Sequence, residues 1–352
     1  MRKIVNVTKS ILEKGKWYAF HKEQNNTARK HLKNIEAVKG KLDAKNIRLC
    51  KEYAKDVFGH ERYAQWLIVY ATYARELKEG WIPDNYYGEV VLPQLNGEYG
   101  KICNRNAVIT SLLKEEDTLD ICYYVNKYFL NANYEVLNGE MLKKLLFSQN
   151  EKIIFKLENS RQGKGIYVFT EKSFDVNTIR KLGNGVFQEF IEQHPFFSQF
   201  STSSVATIRI TSMCDDNGVP QAKTGFFKFG NESDEYIKSN SAIYIPIDVK
   251  TGKLSHEAYT YYWKLLKQLP GNDLDFGGIE LPLFNDCLAE VKRAHSQIPF
   301  VRCTGWDIIL DKYDNVRIIE VNGGHNGITL NETTSGPNFK DLGWENLRKT
   351  KQ

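Results

Sequence analysis

The stretch that decides the fold is Gly305-Trp306-Asp307-Ile308-Ile309-Leu310, followed by a polar segment at 311–315 and then by Val316-Arg317-Ile318-Ile319-Glu320-Val321-Asn322. Two apolar runs around a turn-forming segment predict a β-hairpin. If Asp311 and Val316 close the turn, Asp307 lies directly opposite Glu320 on the neighbouring strand. Side chains alternate along a strand, so Asn322 points to the same face as Glu320. The hairpin is therefore expected to gather two carboxylates and one carboxamide on one patch of sheet.

Such a patch is chemically informative because like charges directly opposite each other destabilise a sheet. A fold that keeps the pair is expected to hold a cation between the two carboxylates. Asp307, Glu320 and Asn322 all offer hard oxygen ligands, which suit Mg²⁺ and leave coordination positions open for phosphate. The prediction depends on the hairpin register, because a slip of one residue would send Asp307 to the other face.

Composition and charge indicate a protein of two or three domains with an uneven charge distribution. The chain has 352 residues and a net charge of +5, and residues 1–80 hold 18 Lys+Arg against 9 Asp+Glu. The six cysteines are scattered without metal-ligand spacing, so neither a zinc site nor a disulfide framework is expected. The first residues lack the apolar run of a signal peptide, and no apolar stretch is long enough to span a bilayer. We therefore expect a cytoplasmic protein without an integral membrane segment.

The chain divides by pattern into a helical region and a mixed region. Residues 1–80 have apolar positions at helical spacing and no proline, which predicts a basic, mainly helical region. Its basic excess is interpreted as a solvated helix face, with a nucleic-acid or membrane-facing surface as the alternative. After a turn-like junction at 81–88, we expect a first subdomain to residue 190 and a second from 191 to 352. Predicted strands are 153–157, 166–169, 186–191, 205–213, 221–229, 242–248, 306–310 and 316–321, and predicted helices are 106–113, 142–147 and 283–298, which indicates an α+β fold with largely antiparallel sheet.

A glycine-rich loop between two predicted strands is the second informative stretch. It reads Lys152-Ile153-Ile154-Phe155-Lys156-Leu157-Glu158-Asn159-Ser160-Arg161-Gln162-Gly163-Lys164-Gly165-Ile166. Glycines let the backbone approach a ligand and turn its N–H groups inward, where successive N–H groups can cradle an anion. Lys156, inside an apolar strand, either extends to solvent or faces a ligand. The loop lacks the spacing of a Walker P-loop, and an ordinary glycine-rich hairpin explains it equally well.

Two further strands carry polar residues in suggestive places. Gln188-Glu189-Phe190-Ile191 runs into a chain reversal at Pro195, and the free backbone groups of such a strand end could read an adenine edge. A plain edge strand followed by a loop histidine, His194, is the alternative. Arg209 shares a strand face with Thr207 and Thr211, where its guanidinium could brace a phosphate or carboxylate. A surface salt bridge explains that arginine equally well.

Taken in chain order, these parts resemble the ATP-grasp superfamily. In detail they are similar to the sugar-transfer-associated branch found beside bacterial surface-polysaccharide genes. The resemblance extends over residues 150–330. The motifs that carry it are Lys156 with Ser160-x-x-Gly163-Lys164-Gly165, Gln188-x-x-Ile191-x-Gln193-His194-Pro195, Thr207-Ile208-Arg209, Asn240 with Asp248-x-x-Thr251-Gly252, Gly305-Trp306-Asp307 and Glu320-Val321-Asn322.

The resemblance implies an ATP-grasp fold, in which two α+β subdomains clasp ATP, preceded here by the helical region. It assigns Lys156 to the α- and β-phosphates of ATP, and it implies that an earlier lysine, for which Lys101 is the candidate, also contacts ATP. Arg209 and Lys228 would face the γ-phosphate or an acyl phosphate. The remaining implied roles are a phosphate lid at Ser160, Gly163, Lys164 and Gly165, adenine contacts at Gln188, Glu189, Phe190 and Ile191, a ribose contact at Glu192 or His194, and Mg²⁺ ligands, usually for two ions, at Asp307, Glu320 and Asn322.

The leading hypothesis is an ATP- and Mg²⁺-dependent carboxylate–amine ligase that acts through an acyl phosphate. Its partners would be a small-molecule carboxylate and a small-molecule amine, with no nucleic acid. One alternative is a kinase that transfers the γ-phosphate to a small hydroxyl substrate. Another is a non-catalytic nucleotide-binding scaffold in a polysaccharide assembly complex. The sequence names neither substrate and leaves the oligomeric state open.

Overall fold

The computed structural model describes residues 2–113, 118–158, 165–201, 205–230, 241–270 and 273–348, with side chains from residue 14 onward. Its α-helices are α1 (Arg2–Lys39), α2 (Ala44–Phe58), α3 (Ala64–Ala74), α4 (Asp84–Tyr86), α5 (Leu92–Leu95), α6 (Asn106–Leu112), α7 (Gly139–Phe147), α8 (Val176–Leu182), α9 (Phe284–Gln297) and α10 (Thr329–Thr334). Its strands are β1 (Asp120–Val125), β2 (Tyr128–Asn131), β3 (Lys152–Leu157), β4 (Ile166–Thr170), β5 (Gly185–Glu189), β6 (Thr207–Cys214), β7 (Pro220–Phe229), β8 (Ile243–Ile247), β9 (Ala258–Thr260), β10 (Leu265–Leu266), β11 (Cys303–Leu310) and β12 (Val316–Asn322).

These elements form two compact units, neither of which is one continuous piece of chain. Unit 1 contains residues 1–97, 262–267 and 327–352, and unit 2 contains residues 98–261 and 268–326. The sequence assigned 81–97 and 327–352 to the two later subdomains, whereas the structure groups both segments with the helical region. The expected subdomain boundary at residue 190 stays a prediction.

Unit 1 is built from helices, which confirms the helical character expected of residues 1–80. Helix α2 shows why the sequence folds this way: Asp43 caps its first turn, and Gly59 ends it at a positive φ of 77°. The C-terminal segment joins this unit through a buried carboxylate. The Glu332 side chain accepts a hydrogen bond of 2.9 Å from the backbone N–H of Ile82, and its backbone oxygen accepts one of 2.7 Å from Trp81.

Unit 2 contains a small antiparallel sheet with the strand order β2-β1-β5-β3-β4. One face carries aromatic residues such as Phe155 and Phe187, which pack into a closed core with helices α7 and α8. The opposite face carries Lys156, Val186 and Gln188, because side chains alternate along β3 and β5. Val186 packs there in a second, smaller apolar cluster with Ala107 and Tyr123, so this face combines buried apolar and polar side chains.

The larger sheet of unit 2 has the strand order β9-β8-β7-β6-β11-β12, with each neighbouring pair antiparallel. Helix α9 packs against β6 and β7. Beneath it, the Trp306 indole donates to Ser212 (2.8 Å), Ser212 lies 2.7 Å from His295 Nδ1, and His295 Nε2 lies 2.8 Å from the Val301 carbonyl oxygen. This buried network belongs to the face away from Asp307, since Trp306 and Asp307 are adjacent on β11.

The predicted strands and helices of the mixed region are confirmed, with ends that move by one or two residues in most cases. The α+β class and the antiparallel sheets are confirmed as well. The sequence missed β1, β2, the short strands β9 and β10, and the helices α8 and α10. Within the described residues, no helix combines the length and the apolarity needed to cross a membrane.

Candidate active site

The β11–β12 hairpin confirms the pairing on which the sequence argument depended. Asp307 lies directly opposite Glu320, and Gly305 lies opposite Asn322. Asp307 is also opposite Arg209 of β6, which is the next strand of the sheet. Directly paired residues share a face, so the arginine and both carboxylates point to the same side of the larger sheet.

The turn itself is one residue away from the expected one. Leu310 rather than Asp311 pairs with Val316, and the expected turn closure was wrong. The Asp311 side chain instead accepts hydrogen bonds from Tyr313 and Asn315 within the loop. A register shift after Asp307 then restores the expected pairing, because a bulge in β12 compensates for a loop that is one residue longer than expected.

The Asp307 carboxylate is buried and is bound by Arg209 through both oxygens. Arg209 Nε lies 2.5 Å from Oδ1, and Nη2 lies 2.9 Å from Oδ2. A third donor from the same guanidinium reaches the backbone oxygen of Asn326 at 3.1 Å. Gly305 leaves room for this arrangement, because a Cβ there would lie 3.1 Å from Arg209 Nη1. The bidentate geometry is the strongest ion pair that the two residue types can form.

Neighbouring cations keep this carboxylate charged. Burial by itself would raise the pKa of Asp307, but Arg209 and Lys228 outweigh burial and hold the pKa well below its ordinary range. Burial would likewise lower the pKa of Arg209, and Asp307 reverses that, so the guanidinium keeps its proton. Lys228 Nζ lies 3.8 Å from Asp307 Oδ2. The larger sheet therefore presents a fixed, fully ionised cluster.

Lys156 connects the small sheet to this cluster. Its Nζ lies 3.4 Å from Glu320 Oε2 and 3.4 Å from the backbone oxygen of Ile319. Ile319 is the bulged residue of β12, so the bulge supplies a carbonyl that an unbroken ladder would have used. The Glu320 side chain stays 43% exposed, whereas that of Asp307 is 3% exposed. Glu320 is therefore the carboxylate that remains open to a ligand.

The side-chain oxygens of Asp307, Glu320 and Asn322 suit a hard cation such as Mg²⁺. The two carboxylates differ in how accessible they are to a ligand. Asn322 lies beside Glu320, and the amide orientation that satisfies both its polar atoms donates to Glu320 Oε1 and accepts from Arg209 Nη2, each at 3.2 Å. Asp307 is already engaged by Arg209 through both oxygens. The described residues contain no cluster of three or more His, Cys, Asp or Glu arranged around a metal. Metal ligation by Asp307, Glu320 and Asn322 stays a prediction, and Glu320 offers the most accessible oxygens.

The predicted adenine segment follows the end of β5. Glu189 lies 3.6 Å from Arg317, and Phe190 is 43% exposed beneath the ammonium group of Lys152. Ile191 is half-buried. Gln188 is the buried member, and its amide nitrogen donates a 2.7 Å hydrogen bond to Asp120.

The two ribose candidates lie at the turn of the β11–β12 hairpin. His194 Nε2 is 3.1 Å from Asp314 Oδ1, and its Nδ1 accepts from the backbone N–H of Phe196. Glu192 Oε1 is 3.0 Å from Lys312 Nζ. Both side chains thus hold this turn, and the ribose assignment stays a prediction for either residue.

Asp120 is a neighbour of the predicted adenine segment that the sequence analysis missed. Its carboxylate accepts from Gln188 and, at 2.6 Å, from the Thr110 hydroxyl. Burial raises the pKa of Asp120, while these two hydrogen bonds and the charge of Lys156 oppose the rise. An acidic residue at the start of an apolar run, Ile121-Cys122-Tyr123-Tyr124-Val125, was the available signal.

Lys101 lies on a 3₁₀ turn, Tyr99–Asn104, that packs against the end of β12. It forms a close, exposed ion pair with Glu98. The turn itself is held tightly, because a Cβ on Gly323 would lie 2.5 Å from Cys103 Sγ and 2.8 Å from the Gly100 oxygen. Lys101 is thereby placed beside the Asn322 end of the site, and its contact with ATP stays a prediction.

The lid and one acceptor-side motif fall outside the described residues. Ser160, Gly163 and Lys164 belong to this set, and so does Asn240. Gly165 is described, with a φ of 80° that favours glycine, and its oxygen accepts from the Leu157 N–H at 2.9 Å. The hairpin that would carry the lid is therefore closed at its base.

Comparison with known families gives the cluster its context. A family model described as sugar-transfer associated ATP-grasp matches residues 177–342. This part of the chain is therefore similar to the sugar-transfer associated ATP-grasp family. The expected fold class, an ATP-grasp α+β fold preceded by a helical region, is confirmed. The ATP-grasp superfamily includes carboxylate–amine ligases. No curated protein sequence matches the chain.

Several solved structures resemble this chain at low identity. The biotin carboxylase domain of Hydrogenobacter thermophilus 2-oxoglutarate carboxylase, in complex with MgADP, ADP and bicarbonate, is 12% identical with a TM-score of 0.42, over 69% of this chain and 44% of that one. The L-amino acid ligase of Bacillus licheniformis is 15% identical with a TM-score of 0.40, over 72% and 49%. The D-alanine-D-alanine ligase of Coxiella burnetii is 8% identical with a TM-score of 0.43, over 73% and 62%. The chain thus spans less than two thirds of the length of each.

Proposed function

We propose that this protein is an ATP- and Mg²⁺-dependent carboxylate–amine ligase that forms an amide through an acyl phosphate. The substrates would be a small-molecule carboxylate and a small-molecule amine, in bacterial surface-polysaccharide or related small-molecule modification. The observation that carries the proposal is the cluster of Arg209, Lys228 and Lys156 around Asp307 and Glu320.

The charge of this cluster suits a polyanion. Three cationic side chains face two carboxylates, so an excess positive charge remains before any ligand binds. Arg209 and Lys228 are largely buried and cannot be screened by water as surface lysines are. Fixed cations of this kind stabilise charge that develops on a phosphoryl group without reorganising during the reaction.

The proposed reaction has two steps. A carboxylate oxygen of the first substrate attacks the γ-phosphorus of ATP, the bond to the β-phosphate oxygen breaks, and ADP leaves. The amine nitrogen then attacks the acyl carbon, loses a proton to water, and expels inorganic phosphate. Arg209 and Lys228, on the larger sheet, would hold the transferring phosphoryl group, while Lys156 would hold the other phosphates from the small sheet.

Glu320 and Asn322, with Asp307 behind them, would hold the metal. When bound, Mg²⁺ neutralises phosphate charge and orients the phosphates for in-line transfer. The protein's own contribution at this position is the β-bulge, which keeps Glu320 opposite Asp307 despite the early turn.

The test is the Glu320→Gln variant in ADP and phosphate release assays with a panel of carboxylate and amine pairs. Removing one contact of this kind costs on the order of a hundredfold in rate. Glu171→Gln is a matched control, because Glu171 pairs with Lys143 at 3.3 Å and is 64% exposed. The control is expected to keep the parent rate. A Glu320→Gln rate equal to the parent in a reaction that the parent supports would contradict the proposed site.

Product analysis separates the alternatives. A ligase releases phosphate only when both acceptors are present, whereas a kinase leaves the phosphoryl group on a hydroxyl. Binding of ATP without turnover in a complete metabolite extract would favour a nucleotide-binding scaffold. Mass spectrometry of the products formed with ATP, Mg²⁺ and that extract distinguishes all three.

A further inference from the structure

The pair formed by the half-buried Asp120 and the buried Gln188 is a feature for which the proposed reaction has no role. It lies on the face of the small sheet that also carries Lys156. Gln188 is 7% exposed. A hydrogen-bonded carboxylate at such a position is costly to bury and has no arginine or lysine within hydrogen-bond distance among the described residues. A function for this carboxylate is therefore worth seeking.

A β-bulge creates the pair. Asp120 lies opposite Gln188, and Cys122 lies opposite Phe187, so one extra residue, Ile121, is inserted into β1. Without this insertion the pairing set at Cys122 would place Asp120 opposite Glu189, two like charges facing each other. The bulge instead aims the carboxylate at a neutral amide. Bulges next to functional sites commonly re-aim a side chain in this way.

The hydrogen bonds fix which end of the Gln188 amide is available. An ionised carboxylate only accepts hydrogen bonds, so the Gln188 group that faces Asp120 must be the NH₂ group. The second oxygen of Asp120 accepts from Thr110, which prevents the carboxylate from rotating freely. The carbonyl oxygen of Gln188 is consequently the end that remains for another partner.

We infer that Asp120 is a positioning residue that makes the nucleotide site select a base with an amino group over one with a keto group. It would act by holding Gln188 as a hydrogen-bond acceptor toward the base edge. Adenine carries an amino group at C6, which donates to such an acceptor, whereas guanine and hypoxanthine carry an oxygen there, which repels it. This inference rests on the proposed function only in placing the base beside Gln188.

The first experiment uses the unmodified protein with Mg²⁺ and compares the binding of ATP, GTP and inosine triphosphate by calorimetry. Inosine triphosphate differs from ATP only along this base edge: a keto oxygen replaces the C6 amino group, and N1 carries a hydrogen. We expect inosine triphosphate to bind at least about tenfold more weakly than ATP, because the carbonyl oxygen of Gln188 would then face the keto oxygen of the base, and neither can donate a hydrogen bond. Equal affinities would overturn the inference. Failure of all three to bind would overturn the proposed function and the inference together.

The second experiment tests whether Asp120 acts through Gln188. Asp120→Leu removes the acceptor, so the amide is free to turn, and the ratio of GTP to ATP dissociation constants should fall by about tenfold. Asp120→Asn retains a carbonyl oxygen toward Gln188 and should restore the parent ratio. Glu171→Gln, which neutralises an exposed carboxylate paired with Lys143, is the matched control and should leave the ratio within about twofold of the parent.

A purely structural role for Asp120 predicts a different result. In that case Asp120→Leu would weaken ATP and GTP equally and leave their ratio unchanged, which would overturn the inference. In a Gln188→Leu background, Asp120→Leu should change the ratio no further, because the two residues form one unit. A further change in that background would show that Asp120 acts by another route and would also overturn the inference. Should Asp120→Leu fail to fold, the inosine triphosphate comparison decides on its own.

Discussion

Replacing Asp307 by Asn tests how strongly charge stabilises the face of the larger sheet that carries Arg209 and Lys228. The Asp307 side chain is 3% exposed and that of Arg209 is 13% exposed, so the pair is desolvated. Asn keeps the shape and one acceptor oxygen but leaves the guanidinium without its counter-charge. Breaking a buried pair by removing one partner costs about 3–5 kcal/mol of stability. Because Asn retains one acceptor for Arg209, we expect the free energy of unfolding to fall by about 3 kcal/mol.

Glu320→Gln provides the contrast within the same cluster. The Lys156–Glu320 pair is 3.4 Å long, and its side chains are 18% and 43% exposed. Pairs with this access to water contribute about 0–1 kcal/mol. The two neutralising substitutions therefore differ by about 2–3 kcal/mol in their effect on stability, although both are expected to impair turnover.

The measurement is hydrogen exchange of the amides in β6 and β11, read by mass spectrometry without nucleotide or metal, together with urea unfolding. These strands pair from Cys303 with Met213 to Ile308 with Ile208, so their amides report directly on the sheet that carries the pair. Asp307→Asn should accelerate their exchange by a factor of about one hundred relative to Glu320→Gln. If the two variants exchange at the same rate, Asp307 is not the desolvated counter-ion of Arg209, and the reasoning is refuted.

Two other predictions follow from the packing around the site. Burial lowers the pKa of His295 to about 4, below the unfolded value of about 6.5. The stability that depends on a neutral His295 is therefore fully present above pH 6.5. As the pH falls toward 4, the free energy of unfolding decreases by about 3 kcal/mol in all. Urea unfolding of parent and His295→Gln proteins between pH 4.5 and 7 should show a smaller pH dependence in the variant, and equal slopes would contradict the assignment. Gly323→Ala puts a Cβ 2.5 Å from Cys103 Sγ, so we expect about 1–3 kcal/mol of destabilisation and a raised KM for ATP from the displaced Lys101 turn. Lys101→Met should raise the KM for ATP and leave the free energy of unfolding unchanged. If neither Gly323→Ala nor Lys101→Met changes this KM, the prediction that Lys101 contacts ATP is wrong.

The hairpin shows how far local sequence information reaches. The alternation of apolar residues in β11 and β12 indicated both strands, and the short polar segment between them limited the possible registers. The predicted closure of the turn was nevertheless wrong by one residue. The Asp311 side chain accepts hydrogen bonds within the loop, so Asp311 belongs to the loop and not to the strand pairing. The bulge after Asp307 then compensated, and no local pattern in the strand announces it.

The sequence alone determined the class of the fold, the helical character of residues 1–80, and which carboxylates, carboxamides and cations the strands carry. Those features depend on periodicity and on neighbours within a few residues. Only the tertiary structure decided that Arg209 engages Asp307 across 98 residues of chain and that Asp120 holds Gln188 across 68. Both contacts arise from the lateral pairing of strands that no tight turn connects, and such a register is set by burial and packing of the whole sheet. The sequence thus supplied the chemical groups, and the sheets determined which of them meet.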